Sequence, residues 1–371
     1  MKNETQNKRI FLISNMYPND EHPHFGVFVK NTEDVLKKNG FLFPLKVVIT
    51  EPNQKTLKKI KTYIKFYIDI LKGIIKRDLY DIIYVHFISH SSIPVIILKL
   101  LTNKTLILNV HGSDVIIRGK IAKILSFFTF PLVKICDRIV VPSDFFKDVV
   151  KSKFKIDDKK IIVYPSGGIN TDIFKPIDSL RKYEREDVFC LGYVSRIEYG
   201  KGWDIFINII KKLNEEHKNM NIKGIMIGDG KDKYNCLDYI KKTNLEDKIE
   251  YLGPLSQKEI AHYLNIIDLF IFPTRLEESL GLVGLEAMAC KTPVVGTNIG
   301  GIKTYINHEK NGFLANVNDV DDFVHLVEKY IKLSKQEKDL IATNAYNTAI
   351  KFNSTIVEKD FIDNIKNLLK E

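Results

Sequence analysis

Residues 268–295 read DLFIFPTRLEESLGLVGLEAMACKTPVV and predict a strand, a helix and a second strand in succession. The run DLFIFP (residues 268–273) has the continuous apolar character of a buried strand. LVGLEAMAC (residues 282–290) is made of good helix formers, and PVV starts the next apolar run. A helix between two such strands is typical of a parallel sheet. The loop TRLEESLG therefore lies at the carboxyl end of a strand and leads into a helix N-terminus.

The same alternation of apolar runs and amphipathic segments extends along the chain on both sides of a polar stretch, residues 169–187. RIFLIS, DIIYVHF and TLILNVHGSD precede that stretch, and VFCLGYVSR and IKGIMIGDG follow it. A chain of 371 residues also exceeds the usual size of a single core. The sequence predicts an α/β protein with two Rossmann-like, doubly wound parallel-sheet domains, residues 1–170 and 171–354, with the ligand site in the cleft between them.

The chain is basic, with a net charge of +10 and a pI of about 9.1, which suits phosphate-rich partners without choosing among them. Residues 53–77 carry eight basic side chains against one acidic side chain, interleaved with Leu, Ile, Phe and Tyr. The pattern predicts a crossover helix with its apolar side on the sheet and its lysines in water. The same segment could also contact an anionic membrane surface. Nucleic acid is not a predicted partner, because no basic and aromatic module accompanies the charge.

Neither a signal peptide nor a membrane-spanning run is predicted. The N-terminus has too short an apolar run for a signal peptide, and the most apolar stretch, Ile93 to Leu101, is well below the ~18–20 residues that cross a bilayer. We therefore expect a cytoplasmic protein, with peripheral contact to the inner face of the membrane as the open alternative.

Two carboxylates bracket the loop and helix of the opening stretch. A helix N-terminus attracts anions, and Gly281 removes side-chain bulk where a phosphate would approach the backbone. Glu286 lies about one turn beyond Leu282, where it could accept hydrogen bonds from ribose hydroxyls, and Glu278 could accept from a sugar on the other side. A pair of unrelated glutamates on an ordinary helix is the alternative, because this spacing is common by chance.

Other candidate ligand-binding residues follow predicted strands elsewhere. Arg196 and Lys201 lie in a glycine-containing loop and could neutralise a diphosphate, although an ordinary surface turn is the alternative. His111 ends a strand of the first half and could bind a sugar or pair with backbone. Gly26 follows the first strand, where a ligand would approach the backbone closely.

Two patterns that suggest metal sites have simpler explanations. Asp319 and Asp321 form a D-x-D string, but they directly precede a helix, where Asp is expected as a cap. His86 and His90 have i, i+4 spacing but straddle the end of a strand, so no helix face would bring them together. No metal site is predicted.

The motifs SRIEYGKGWD, IGDGKDK, ESLGLVGLEAMACKTPVV, NIGG, HPHFGVFVKNTEDVL and YPSGGINTDIFKP together resemble the retaining glycosyltransferases of family 4, which have the two-domain GT-B fold. The resemblance covers nearly the whole chain. It implies transfer of a sugar from a nucleotide-diphosphate sugar to a glycan or lipid-linked acceptor, with no cofactor and no metal. It also implies that a C-terminal helix, residues 355–371, crosses back to the first domain. The stretch YPNDEHPHFGVFVK looks most like bacterial enzymes of surface polysaccharide synthesis, such as those for capsule and teichuronic acid.

The resemblance implies a role for each candidate residue. Arg196 and Lys201 would bind the donor diphosphate, Glu286 the nucleoside ribose and Glu278 the donor sugar. Leu280, Gly281 and Leu282 would contribute backbone amides. His111 would contact the sugar from the first domain, and Gly26 would lie near the phosphates. Retention would come from departure of the diphosphate on the face that the acceptor attacks.

The sequence departs from the family pattern at three positions and lacks a second glycine beside Gly26, and two other functions stay open. Lys291 stands where the family commonly has Gly, and Lys303 and Thr304 replace the usual Pro and Glu. A sugar-nucleotide epimerase on the same fold is one alternative function, which would need no acceptor. A non-catalytic partner subunit of another glycosyltransferase is the second, although such proteins tend to lose the phosphate-binding pair that is present here.

Overall fold

The computed structural model describes residues 8–52, 55–112, 115, 120–180 and 188–370. Residues 53–54 of the basic segment and residues 181–187 of the predicted linker lie outside these ranges. The chain forms two compact units, one of Met1–Gly167 with Val357–Glu371 and the other of Gly168–Ile356. No helix of the described residues is both long enough and apolar enough to cross a membrane.

The first unit contains a six-stranded parallel sheet with the order β2-β1-β3-β4-β5-β6. Its strands are β1 (Arg9–Ser14), β2 (Leu42–Val48), β3 (Ile82–His86), β4 (Thr105–Asn109), β5 (Arg138–Val141) and β6 (Ile161–Val163). The helices between them are α1 (Val27–Lys38), α2 (Thr56–Leu71), α3 (Ser92–Thr102), α4 (Lys120–Ile135) and α5 (Asp144–Phe154). Alternate residues of the buried strands point to opposite faces of the sheet, so both faces carry an apolar core.

The second unit contains another six-stranded parallel sheet, with the order β12-β11-β10-β7-β8-β9. Its strands are β7 (Val188–Val194), β8 (Asn221–Ile227), β9 (Ile249–Gly253), β10 (Leu269–Phe272), β11 (Val294–Thr297) and β12 (Phe313–Ala315). Its helices are α6 (Trp203–Glu216), α7 (Lys233–Lys242), α8 (Gln257–Ile266), α9 (Leu282–Ala289), α10 (Ile302–Tyr305), α11 (Val320–Lys332) and α12 (Lys335–Ala349). The predicted fold of two Rossmann-like, doubly wound domains is confirmed.

The last helix, α13 (Ser354–Leu368), joins the core of the first unit. Its residues Val357, Phe361, Ile362 and Ile365 pack with the side of the first sheet that α1 also covers. The Phe361 ring stacks on Tyr164, with 4.2 Å between the ring centroids. The first unit is therefore built from the beginning and the end of the described chain.

The D-x-D string is a helix cap, as predicted. The Asp319 side chain accepts a hydrogen bond from the backbone N–H of Asp322 at 3.0 Å and so begins α11. Asp321 forms an ion pair with Lys212 instead. Among the described residues, one group of three side chains could share a metal ion, Glu216, His217 and Glu328, and it contains none of the predicted site residues.

Lys291 follows the end of α9 with a φ of 57°, which is the left-handed conformation that favours glycine. A side chain costs energy there because its Cβ crowds the backbone. We expect Lys291→Gly to raise the free energy of unfolding by about 0.5–1 kcal/mol. Glycine removes the cost of the left-handed conformation, and part of this gain is offset because glycine loses more backbone entropy on folding. Urea denaturation would measure it; Lys258→Gly, at an exposed helical position of α8, is the control and should destabilise the protein. A loss of stability in Lys291→Gly would contradict the argument.

Candidate functional site

The candidate site of the second unit lies where the strand order of its sheet reverses. The chain runs from β7 outward to β8 and β9, then returns to place β10 on the other side of β7. The loops that follow β7 and β10 therefore leave neighbouring strands in opposite directions. Such a switch point, at the carboxyl ends of the strands, is the usual ligand site of an open parallel sheet.

The loop after β7 is held tightly against the loop after β10. Gly202 begins α6 with a φ of 75°, and a Cβ at this position would lie 2.0 Å from the carbonyl oxygen of Pro273. The N–H of Arg275 donates to the carbonyl oxygen of Gly200 at 2.8 Å. Glycine is needed here for both its backbone conformation and the close approach. These contacts place Lys201 beside the segment that carries Glu278.

Lys201 and Glu278 form a largely buried ion pair. The Lys201 amine donates to Glu278 Oε1 at 2.7 Å, and the two side chains are 13% and 14% exposed. The hydroxyl of Thr274 donates to the same carboxylate oxygen at 2.9 Å. An ammonium group has three N–H donors, so Lys201 keeps donors for a second anion while it holds Glu278 in position.

Arg196 lies in the same loop but has a different environment. Its side chain is 68% exposed, and Nη1 donates to Glu198 Oε1 at 3.1 Å. Lys201 is thus fixed by its partner, whereas most donors of Arg196 face solvent. The structure places both cations in the loop after β7. Among the described residues, Lys201 pairs with Glu278 and Arg196 pairs with Glu198.

The helix predicted to bind phosphate starts as expected, although Gly281 has a structural reason of its own. Gly281 precedes α9 with a φ of 82°, and a Cβ there would lie 2.8 Å from the Phe272 ring. Leu280 is buried. The N–H groups of Leu282 and Val283 lie at the start of the helix, where they have no acceptor within the helix. The α9 N-terminus and Glu278, which pairs with Lys201 of the loop after β7, therefore belong to one loop and helix segment.

Glu286 lies one turn into α9 with an unusual carboxyl group. Burial raises its pKa to about 7, and no side chain or backbone donor of the described residues forms a hydrogen bond or ion pair with it. The phenol of Tyr305 donates to the carbonyl oxygen of Gly281 at 3.0 Å. Burial, together with the negative charges of Glu278 and Glu286, raises the pKa of this phenol. A partly buried carboxyl group without a donor among the described residues is suited to a ligand that brings hydroxyl groups.

The paired glycines of NIGG, Gly300 and Gly301, support the Glu278 segment. Gly301 N–H donates to the carbonyl oxygen of Glu278 at 2.8 Å, and Gly300 has a φ of 57°. A Cβ on Gly300 would lie 2.8 Å from the backbone nitrogen of Glu278, and one on Gly301 would lie 2.5 Å from the carbonyl oxygen of Ser279. The loop after β11 therefore fixes the backbone that presents Glu278.

Arg275 is a residue of this site that the sequence analysis missed. Its guanidinium forms two hydrogen bonds to the carboxylate of Asp204, both at 2.7 Å, and lies 4.1 Å from the centroid of the Tyr199 ring. It also donates to the carbonyl oxygen of Tyr199. Arg275 thus ties the loop after β10 to the loop after β7. No local pattern reveals this, because 71 residues separate Arg275 from Asp204.

In the first unit, Gly26 and His111 follow β1 and β4. Gly26 has a φ of 76°, and a Cβ would lie 2.7 Å from the backbone of Met16, so the start of α1 packs closely on the loop after β1. His111 lies among aromatic rings, 4.4 Å from Phe28 and 4.9 Å from Phe87 between ring centroids. The structure places both residues at the carboxyl edge of the first sheet.

His111 contacts His86, which the sequence suggested only as a possible metal ligand. His86 Nδ1 and His111 Nε2 are 2.9 Å apart, and the two rings are nearly parallel. His86 is fully buried at the end of β3, and its Nε2 has no hydrogen-bond partner among the described residues. A buried acceptor without a partner costs less than a buried donor. The arrangement therefore favours the tautomer in which His86 Nδ1–H donates to His111 Nε2.

Burial lowers the pKa of His111 to about 3, from an ordinary value of 6.5. The neutral ring therefore contributes stability above pH 6.5, and this contribution is lost as the pH falls toward 3. We expect the ¹⁵N resonances of the His111 ring to keep the neutral pattern from pH 8 to about pH 5. A His111 midpoint near pH 6.5 would show that the ring is solvated.

Comparison with known protein families matches both halves of the chain. Residues 27–172 match the family described as Glycosyltransferase Family 4, and residues 176–347 match the family described as Glycosyl transferases group 1. An uncharacterized glycosyltransferase of Methanocaldococcus jannaschii is 29% identical over 292 residues, which cover 79% of this chain and 76% of that protein.

Solved structures with the same fold cover almost the whole chain. Sucrose-phosphate synthase from Thermosynechococcus elongatus has a TM-score of 0.77 at 16% identity, over 98% of this chain and 99% of that one. Anabaena HepE in complex with UDP and glucose has a TM-score of 0.71 at 17% identity, over 97% and 99% of the two chains. Both similarities extend over the two Rossmann-like units and show the shared fold.

Proposed function

Because the chain is a group 1 glycosyltransferase with the GT-B fold, we propose that its second unit binds a nucleotide-diphosphate sugar and that the enzyme transfers the sugar with retained configuration. The observation that carries this proposal is the Lys201–Glu278 ion pair at the switch point of the second sheet, beside the N-terminus of α9. Cations and a helix N-terminus at one place suit a diphosphate.

In the proposed complex each residue has a distinct contact. Lys201 and Arg196 bind the diphosphate, the amides of Leu280, Gly281 and Leu282 approach a phosphate, and Glu278 orients the sugar. Glu286 accepts hydrogen bonds from the ribose. Support for the ribose contact comes from the Glu286 carboxyl group, which is partly buried and has no donor among the described residues. UDP in the similar Anabaena structure supports a uridine nucleotide as the first donor to test.

The proposed reaction needs positive charge where the leaving diphosphate develops negative charge. Lys201, Arg196 and the α9 N-terminus supply it, so we propose that transfer proceeds without a metal ion. The diphosphate departs on the face from which the acceptor hydroxyl attacks, and it takes the hydroxyl proton. Glu278 is already engaged by Lys201 and Thr274, which suits positioning rather than proton transfer.

For the acceptor we propose a glycan or lipid-linked intermediate of bacterial surface polysaccharide synthesis. His111 and Gly26 are proposed to act from the first unit, His111 on the sugar and Gly26 near the phosphates. A lipid-linked acceptor would bring the enzyme to the inner face of the membrane, which agrees with the basic character of residues 53–77.

The test is an assay of UDP-, GDP- and TDP-sugars, each with a polyprenyl-linked glycan acceptor and with EDTA or magnesium. We expect one donor to yield a glycosylated product in EDTA, with the anomeric configuration of the donor by NMR. Inverted configuration would contradict the proposed mechanism. Conversion of the nucleotide sugar into its epimer without acceptor would instead identify an epimerase, and no turnover at all would favour a non-catalytic partner subunit.

A further inference from the structure

Three neighbouring helices of the first unit expose apolar side chains on the side away from the sheet. Helices α2, α3 and α4 bury Phe66, Val95 and Leu132 in the same core on one face of the sheet. Helix α2 packs on α3, and α3 packs on α4. The three helices thus form one continuous layer. We call the outward side of this layer, from α2 to α4, the apolar layer face.

The exposed apolar residues of this face have helical spacing on each helix. They are Leu57, Ile60, Ile64 and Ile68 on α2, Ile93, Ile97, Leu100 and Leu101 on α3, and Phe127 and Phe130 on α4. Ile75 and Leu79 follow α2 and are exposed as well. Of the 20 exposed large apolar side chains in the described residues, these are 12, so the exposure is concentrated on one layer. Exposed apolar residues concentrated in this way mark an interaction surface.

Lysines border the apolar stripe of α2. Lys61 and Lys65 each follow a residue of the stripe and so lie about 100° further round the helix, on one side of it. Both are exposed, as are Lys58 and Lys72. Lys72 pairs with Asp69, the single acidic residue of α2, and Lys58 pairs with Glu51, so Lys61 and Lys65 supply the positive charge on this side. The face therefore combines apolar side chains with a row of positive charge.

We propose that the apolar layer face binds the surface of a bilayer that contains anionic lipid. Its isoleucine, leucine and phenylalanine side chains enter the boundary between headgroups and acyl chains, and the lysines of α2 contact lipid phosphates. The charge distinguishes a bilayer from a second copy of the chain. A twofold dimer through this face would bring like-charged lysine rows together, whereas anionic lipid neutralises them.

This inference concerns a surface of the first unit and does not depend on which donor the second unit binds. It extends the basic segment of residues 53–77 to α3 and α4, which carry half of the exposed apolar residues of the face. Since a lipid-linked acceptor is proposed, docking by this face would also keep the enzyme at the surface that carries its acceptor.

The test is sedimentation of the full chain with vesicles of phosphatidylcholine, with and without phosphatidylglycerol. Wild type is expected to sediment with the anionic vesicles and to be released by salt, because salt screens the lysine contacts. Lys61→Glu/Lys65→Glu and, separately, Ile64→Ser/Ile97→Ser/Leu100→Ser should each weaken binding at least about tenfold. All altered residues are exposed, so the variants should fold; circular dichroism would verify this.

Matched controls come from the second unit. Lys258→Glu/Lys332→Glu changes two exposed lysines, and Leu340→Ser changes a leucine that is 61% exposed; both should sediment like wild type. Wild type that fails to bind anionic vesicles, or variants that bind them equally well, would overturn the proposal. If wild type does not bind vesicles but forms a dimer, and the apolar variant alone abolishes that dimer, the face would be assigned to a second copy of the chain. Nucleotide binding should be equal in all these variants, so a failure here is separate from a failure of the proposed function.

Discussion

Lys201→Ala is expected to lower the transfer rate by about 10²–10³-fold, the usual effect of removing one group that stabilises charge in a transition state. The same change should also destabilise the fold, because Glu278 is only 14% exposed and would lose its cation. The Glu278 carboxylate would then keep one donor among the described contacts, the hydroxyl of Thr274, and would be largely buried without a cation. Steady-state kinetics and urea denaturation would measure the two effects.

The double variant Lys201→Ala/Glu278→Ala separates catalysis from stability. It should regain much of the lost stability, because the unpaired charge is gone, while its transfer rate stays low. Lys258→Ala is the control for removal of an exposed lysine of the second unit and should match wild type in both measurements. A Lys201→Ala variant with full turnover would remove Lys201 from the proposed site.

Glu286→Gln is expected to have opposite effects on stability and on nucleotide binding. Desolvation raises the pKa of Glu286 from 4.5 to about 7, so the carboxylate destabilises the folded protein once it ionises. The sign follows from linkage: the stability associated with the neutral carboxyl group is complete below pH 4.5 and is lost as the pH rises to about 7. At pH 8 the variant should be more stable than wild type by about 2–3 kcal/mol, and at pH 4.5 the difference should vanish.

Nucleotide binding should become weaker in the same variant, about tenfold or more, because a hydrogen bond to a charged group is lost. If ribose hydroxyls donate to the carboxylate, nucleotide binding to wild type at pH 7 should release up to about half a proton per site. Calorimetry in buffers of different ionisation enthalpy would detect this release, and Glu286→Gln should abolish it. Equal proton release by both proteins would show that Glu286 does not contact the ligand.

The sequence was sufficient for the fold because strong local patterns agreed along the chain. Buried strands such as DLFIFP and the amphipathic helices between them specify doubly wound sheets, and the cap at Asp319 is a local signal as well. Gly26, Gly202 and Gly281 each adopt a positive φ directly before a helix, and each stands in the sequence between an apolar run and a helical segment.

The contacts within the site could not be predicted in the same way, because they join residues far apart in sequence. The Lys201–Glu278 pair spans 77 positions, and the Arg275–Asp204 pair spans 71. The pairing of His86 with His111 depends on the neighbouring positions of β3 and β4, and the sequence analysis considered His86 only as a metal ligand. The lysines of residues 53–77 were visible in the sequence, but the exposed side of α3 was not, since an apolar helix usually indicates core.

The loops after β7 and β10 are proposed to bind a nucleoside diphosphate. The most direct test is a thermal-shift series with UDP, GDP, ADP and TDP in EDTA, on wild type and on Arg196→Ala. Arg196 is 68% exposed, so its truncation should leave the fold intact. We expect one nucleotide to raise the Tm of wild type, and we expect this rise to be lost or strongly reduced in the variant. An equal rise in both proteins, or no rise with any nucleotide, would contradict it.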